Sequence, residues 1–252
     1  MKMTKEYILE CLDKYSCFEG LHEYNFVHEV VEPLEEAGCF DNWTWDNGVT
    51  KGVLIFKELD FVVKIPFEGY CSETESHYEN SNGSWIGSWS SRWNSKLHKV
   101  EYEEIFEDFT GADTEDGWNY CEVEANLIDA AREEGLHKCF AATELLGFAK
   151  DHPIYIQEKC FMFSDARTST NKEKYKNRTK ADYDSLKAVR ERVDFWGIDN
   201  DWVLDFLIYW GEEMLKRLGQ FLFVHDIEDL HNGNIGYRNG VPCLVDYSSY
   251  RE

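Results

Sequence analysis

The last thirty residues hold the densest set of groups able to do chemistry. Asp229, Asn234 and Asp246 all fall there, and between the last two lies the dipeptide Asn239-Gly240. Asn-Gly flanked by strand-forming residues is a strong signal for a two-residue hairpin turn. With that turn, Arg238 faces Val241, and the same register puts Asn234 opposite Val245, beside Asp246. The open end of the hairpin therefore brings Asn234 and Asp246 together. Asp229 precedes Asn234 by five residues, enough for one loop to gather all three groups. An amide oxygen and a carboxylate are hard ligands that suit Mg²⁺, which also takes waters and phosphate oxygens. A second carboxylate nearby can orient or deprotonate a hydroxyl.

The elements that must position these groups can be read coarsely. Thr4 caps a helix expected over 5–15, with Tyr7, Ile8, Cys11, Leu12 and Tyr15 on one face. A second helix is expected over 23–37, stopping at Gly38. Residues 40–67 read as a three-strand meander that Pro66 ends: Trp43-Thr44-Trp45, Val53 to Phe56, and Phe61 to Ile65. Residues 68–118 are rich in Ser, Asn, Glu, Gly and Trp and read as a long insertion with some helix near 98–108. A helix over 121–134, a strand over Ile154 to Gln157, and helices over 181–195 and 201–218 follow. The last carries Leu204, Leu207, Ile208, Gly211, Leu215 and Leu218 on one stripe. The expected domains are a helical extension over 1–40, an N-lobe over 41–160 and a reduced C-lobe over 161–252.

Composition narrows the function classes. The 252 residues are 43% hydrophobic and 30% charged, which fits a soluble globular protein with a real core. The net charge of −23 argues against broad nucleic-acid binding, which needs Lys and Arg to replace counterions, and against an anionic membrane surface. None of the eight cysteines forms a Cys-x-x-Cys pair, so no zinc ribbon or thioredoxin-type motif is present. With no apolar leader at the N-terminus, reduced thiols in a cytoplasmic protein are the expectation.

The run Asp229-Leu230-His231-Asn232-Gly233-Asn234, followed twelve residues later by Asp246, resembles the catalytic loop and metal-binding Asp of the protein-kinase-like superfamily. The form is closest to the aminoglycoside phosphotransferase and choline kinase branch. The resemblance implies that Asp229 positions the acceptor hydroxyl and that Asn234 and Asp246 hold Mg²⁺. Val62-Val63-Lys64 resembles the third-strand motif, which would put Val62 under an adenine and Lys64 at the phosphates. A Lys on an apolar strand needs an anionic partner. In the helix over 121–134, Glu122 shares its face with Asn126, Asp129 and Glu133, whereas Glu124 shares its face with Leu127, Ile128 and Ala131. Glu124 is therefore the expected partner of Lys64.

Glu158-Lys159-Cys160 resembles the hinge, where backbone groups of Glu158 and Cys160 would meet the adenine edge. Gly48-Val49-Thr50-Lys51-Gly52 occupies the place of the phosphate-covering hairpin, with two glycines rather than three. Thr50 and Lys51 supply a hydroxyl and a charge, and a plain tight turn explains the glycines equally well. His231 is expected to bond within its own loop and order it.

The implied fold is α+β and two-lobed, a small antiparallel N-lobe sheet over a reduced helical C-lobe. The implied function is phosphoryl transfer from ATP, with Mg²⁺, to a hydroxyl. A nucleotide-binding pseudokinase acting as a switch or scaffold is the alternative, because the chain stops six residues after Asp246. A metal-dependent hydrolase using the same carboxylates is the second. The acidic surface favours a cationic small molecule or a basic protein as acceptor.

Overall fold

The computed structural model describes residues 3–48, 50–67, 91–94, 99–102, 119–162, 179–190, 200–225, 227 and 230–248. Helix α1, Lys5–Tyr15, opens on Thr4, whose hydroxyl accepts from the Tyr7 N–H at 3.2 Å. Ile8, Cys11 and Leu12 form its buried stripe. The helix expected from residue 23 begins later, as a π-helical turn Val27–Val31 that runs into α2, Glu32–Glu36. The cause is local. The Asn25 side chain accepts from the His22 N–H at 2.8 Å and donates to the Gly20 carbonyl at 3.1 Å, which stabilises a turn in place of the first helical residues.

The meander forms as β1, Trp43–Asn47, β2, Lys51–Phe56, and β3, Phe61–Pro66. A short strand pair follows, β4, Ser91–Asn94, against β5, Lys99–Tyr102. This corrects the helix expected near 98–108 where it begins: Val100 and Tyr102 favour a pleated strand, and the antiparallel partner supplies hydrogen bonds that a helix would have made locally. Helix α3, Tyr120–Glu133, ends before Gly135, whose φ of 71° suits a glycine. Strands β6, Thr143–Ala149, and β7, His152–Glu158, complete a five-stranded sheet of order β1-β2-β3-β7-β6. β3 and β7 are antiparallel, with Val62 opposite Gln157 and Lys64 opposite Tyr155.

The C-terminal part holds β8, Phe161–Met162, α4, Lys180–Arg190, α5, Asn200–Val224, and the hairpin β9, Ile235–Arg238, with β10, Val241–Leu244. Helix α5 is two helical pieces joined at Gly211, whose φ of 79° is non-helical. Leu204, Leu215 and Leu218 are buried as expected of the stripe, but Ile208, in the same helical piece as Leu204, is 64% exposed. The architecture is thus mixed α+β with antiparallel sheets.

The chain divides into two compact units. One comprises Met1–Leu54, Ile65–Asn119 and Gly147–Ile154, and the other Ile55–Lys64, Tyr120–Leu146 and Tyr155–Glu252. The first has an aromatic core in which the Phe26 ring lies 5.6 Å from Phe67 and 6.2 Å from Trp45. Phe26 also packs against Gly52, where an added Cβ would come within 2.2 Å of the ring. The second unit packs α3, α4 and α5 with the C-terminal hairpin around Trp202, Phe140, Phe206, Phe221 and Tyr247.

Candidate functional site

The hairpin that carries the metal-ligand candidates forms in the register the Asn-Gly turn dictates. Arg238 faces Val241 and Ile235 faces Leu244, while Asn239 and Gly240 take φ values of 52° and 84°. Positive φ at both central residues is the twist-matched hairpin turn that Asn and Gly adopt at least cost. One step beyond the strands, the Val245 N–H donates to the Asn234 carbonyl at 2.9 Å. This bond holds Asn234 next to the residue that precedes Asp246. Asn234 is buried, and Asp246 is half-buried with Ser248 Oγ donating to its Oδ1 at 3.3 Å.

The loop before β9 is ordered by its own histidine. His231 Nδ1 accepts from the Gly233 N–H at 2.9 Å, and the His231 carbonyl accepts from the Asn234 N–H at 3.0 Å. Nδ1 is thus an acceptor, so in the neutral ring the proton sits on Nε2. The imidazole lies so close to Gly233 that an added Cβ would meet Cε1 at 2.6 Å. Glycine is required there by the histidine's packing. Asp229 lies outside the described residues.

Lys64 is the other half of the site. Its ammonium is buried, at 3% exposure, and donates to Glu124 Oε2 at 2.7 Å, to Glu124 Oε1 at 3.0 Å and to the Val245 carbonyl at 3.1 Å. An ammonium has three protons, and these three acceptors match them. Glu124 is fully buried on the inner face of α3, whereas Glu122 is exposed, so the helical-face assignment holds. Residue 245 thereby links the two halves: its N–H fixes Asn234, its carbonyl takes Lys64, and Asp246 follows.

Three further residues, unmarked in the sequence reading, complete this cluster. Thr143 Oγ1 donates to Glu124 Oε2 at 3.0 Å. Gln157 Nε2 reaches Thr143 Oγ1 at 2.8 Å and Glu124 Oε2 at 3.3 Å. The Tyr247 hydroxyl donates to the Ala141 carbonyl at 2.8 Å and lies 3.2 Å from Thr143 Oγ1. Each desolvated oxygen of Glu124 is thus met by donors, the condition under which a buried carboxylate is tolerated. A polar Gln at the end of the apolar run Ile154-Tyr155-Ile156 was the one available signal.

Comparison with protein-family models, with curated proteins and with solved structures gives no match for this chain. The chemistry of the site must be read from its own residues.

The remaining candidates divide. Val62 is half-buried on β3 opposite Gln157. The Glu158 N–H donates to the Ala142 carbonyl at 3.0 Å, and its carboxylate accepts from the Ala142 N–H at 2.8 Å and from Arg238. Of the Glu158 backbone groups expected at an adenine edge, the N–H is thus engaged within the protein. Cys160 is half-buried, with its sulfur 3.4 Å from that of Cys243. Gly48, Thr50, Lys51 and Gly52 belong to the first unit. The Gly48 N–H donates to the Lys51 carbonyl at 3.0 Å, closing a tight turn, and Gly52 is needed by the Phe26 ring. Thr50 and Lys51 are both buried. The turn and the packing account for both glycines without a ligand.

The donor set fits Mg²⁺ better than a transition metal. Among the described residues no group of three or more His, Cys, Asp or Glu is placed to hold a metal ion. Asn234 and Asp246 offer one amide oxygen and one carboxylate at adjoining positions. Mg²⁺ accepts such a sparse protein set because water and phosphate oxygens fill its other positions. Among the described residues no helix is long and apolar enough to cross a membrane.

Proposed function

We propose that this chain is an ATP-dependent phosphotransferase of the protein-kinase-like type, acting on a hydroxyl. The observation that carries the reading is the buried Lys64–Glu124 pair bonded to the carbonyl of Val245, the residue before Asp246. A buried ion pair contributes little net stability compared with an apolar pair of similar size. A cation held next to the metal-ligand candidates is what an ATP phosphate chain requires.

In this reading Lys64 binds phosphate oxygens, oriented by Glu124, which Thr143 and Gln157 fix in turn. Asn234 and Asp246 hold Mg²⁺, which supplies neutralisation of charge on the transferring phosphoryl group. Asp229 orients the acceptor hydroxyl and takes its proton. With the Glu158 N–H engaged, the Glu158 carbonyl and the Cys160 backbone are the hinge groups that meet the adenine edge, and Val62 packs beneath the ring. The acidic chain draws a cationic small molecule or a basic protein as acceptor.

One observation favours a second reading. All three protons of Lys64 already have acceptors, so a phosphate must displace the Val245 carbonyl. A protein that exchanges that bond for a nucleotide without transferring phosphate would be a switch or scaffold.

Incubation with labelled ATP and Mg²⁺, following hydrolysis and self-labelling, separates the two. The phosphotransferase turns over or labels itself, and the switch binds ATP unchanged. Asp229→Asn should spare ATP binding yet lower phosphoryl transfer by roughly 10²- to 10⁴-fold. Asp246→Asn should weaken Mg²⁺-dependent ATP binding as well. Full transfer activity in Asp229→Asn would remove that residue's role. Equal loss of ATP affinity in both variants would reduce the cluster to a plain metal site.

A further inference from the structure

Cys160 and Cys243 are 83 residues apart in the chain, yet their sulfurs are 3.4 Å apart. Cys160 lies just before β8 and Cys243 on β10, and β9 runs between those two strands. What lets them meet is Gly236 on β9, the residue paired with Cys243. An added Cβ at Gly236 would lie 2.7 Å from the Cys160 Cβ and 3.0 Å from Val245 Cγ1. The missing side chain opens a gap in the central strand, and the two thiols close across it. From 3.4 Å, a bonded pair at about 2.05 Å is a movement of a little over an ångström.

The two thiols are not equivalent. Cys160 is partly exposed, and Cys243 is completely buried with its sulfur 3.7 Å from the Gly236 carbonyl. The hydrogen bond from Cys243 holds the Cys160 thiol below the ordinary thiol range, against burial and with help from the Arg238 guanidinium. The same bond, together with burial, pushes Cys243 up. Elsewhere burial works alone or foremost: Cys39 and Cys139 are each pushed up to about 12. A lowered, reachable thiol beside a second one is the arrangement of an attacking and a resolving cysteine.

We propose that Cys160 and Cys243 are a peroxide-responsive pair that closes to a disulfide, tying the segment after β7 to the C-terminal hairpin. The oxidant is hydrogen peroxide. The Cys160 thiolate attacks the peroxide oxygen, the O–O bond breaks, and hydroxide leaves, giving a sulfenic acid on Cys160. Cys243 then attacks the Cys160 sulfur. The S–O bond breaks, and the departing hydroxide takes the Cys243 proton as water. Over both steps the two thiols lose two electrons and two protons, and one peroxide becomes two waters. The inference stands on the thiol geometry and is independent of whether the chain binds ATP.

The test treats the full reduced protein with hydrogen peroxide, then blocks remaining thiols under denaturing conditions and maps the digest by mass spectrometry. The expected result is a Cys160–Cys243 linked peptide, lighter by two hydrogens, that forms before any other cysteine is modified and is reversed by dithiothreitol. In Cys243→Ser, Cys160 should be trapped as sulfenic acid by dimedone and run on to sulfinic acid. In Cys160→Ser, Cys243 should stay reduced. Cys160 oxidised beyond sulfenic acid in the wild type, with Cys243 still free to be blocked, would overturn the proposal. So would modification of Cys11, Cys39 or Cys139 ahead of Cys160.

Discussion

Each unit buries a cluster of polar groups, and the two are built in opposite ways. In the first, His152 lies at 6% exposure, with Nε2 2.9 Å from the Pro66 carbonyl and its ring stacked on Phe18 at 4.6 Å. One ring nitrogen bonded to a backbone carbonyl and one ring face stacked on an aromatic are contacts that a core accommodates without burying an ammonium or a carboxylate. In the second, Lys64 and Glu124 are buried together and joined by Thr143, Gln157 and the Val245 carbonyl. An ammonium and a carboxylate each lose several kcal/mol of hydration on such burial, which their attraction and hydrogen bonds only roughly offset. The first cluster is a way to close a core. The second is more than a core requires, and that excess is why function is assigned there.

The sharpest way to break the comparison is to remove one charge from the second cluster. Glu124→Ala leaves Lys64 buried without a carboxylate. It should destabilise the fold by about 3–5 kcal/mol in urea unfolding. A loss below about 1 kcal/mol would mean that water reaches Lys64 and the pair is not a desolvated one. Thr143→Val keeps shape and removes the hydroxyl that donates to Glu124 and accepts from Gln157. Its expected cost is about 1.5–3 kcal/mol, because the bond is to a charged group. In the first cluster, His152→Phe retains a ring to stack on Phe18 but loses the bond to Pro66. Its cost should be smallest, about 1–2 kcal/mol by the same denaturation measurement. If His152→Phe proved costlier than Thr143→Val, the contrast between the two clusters would fail.

What the sequence disclosed and what it hid follow from the range of the forces involved. The hairpin register was legible because Asn239-Gly240 fixes it within a few residues. The choice of Glu124 over Glu122 was legible because a helix carries a face of period 3.6 and the apolar neighbours of Glu124 mark it. Strand β6 was not, since Thr143-Glu144-Leu145-Leu146-Gly147-Phe148 lacks alternation and leaves Leu145 and Phe148 exposed. With β6 went Thr143. The helix expected near 98–108 rested on local composition, whereas β5 is set by pairing with β4. Gly211 sat on an apolar stripe like a small packing residue. Its φ of 79° breaks the helix instead, and no neighbouring residue type signals that. The Gly48–Gly52 stretch left two readings open, because a glycine required by Phe26 looks the same in sequence as one required by a phosphate.

The central claim is that the buried Lys64–Glu124 pair exists to bind a nucleotide with Mg²⁺ rather than to hold the fold. Calorimetric titration of ATP with Mg²⁺ into the wild type and into the double variant Lys64→Met/Glu124→Leu tests it most directly. The double variant removes both buried charges together, so it should still fold, at a cost of about 1–3 kcal/mol for the Val245 carbonyl, Thr143 and Gln157 groups that lose a partner. The account predicts Mg²⁺-dependent ATP binding by the wild type and none by the folded double variant. A folded wild type that takes up no ATP at millimolar concentration, or a double variant that binds it equally well, would contradict it.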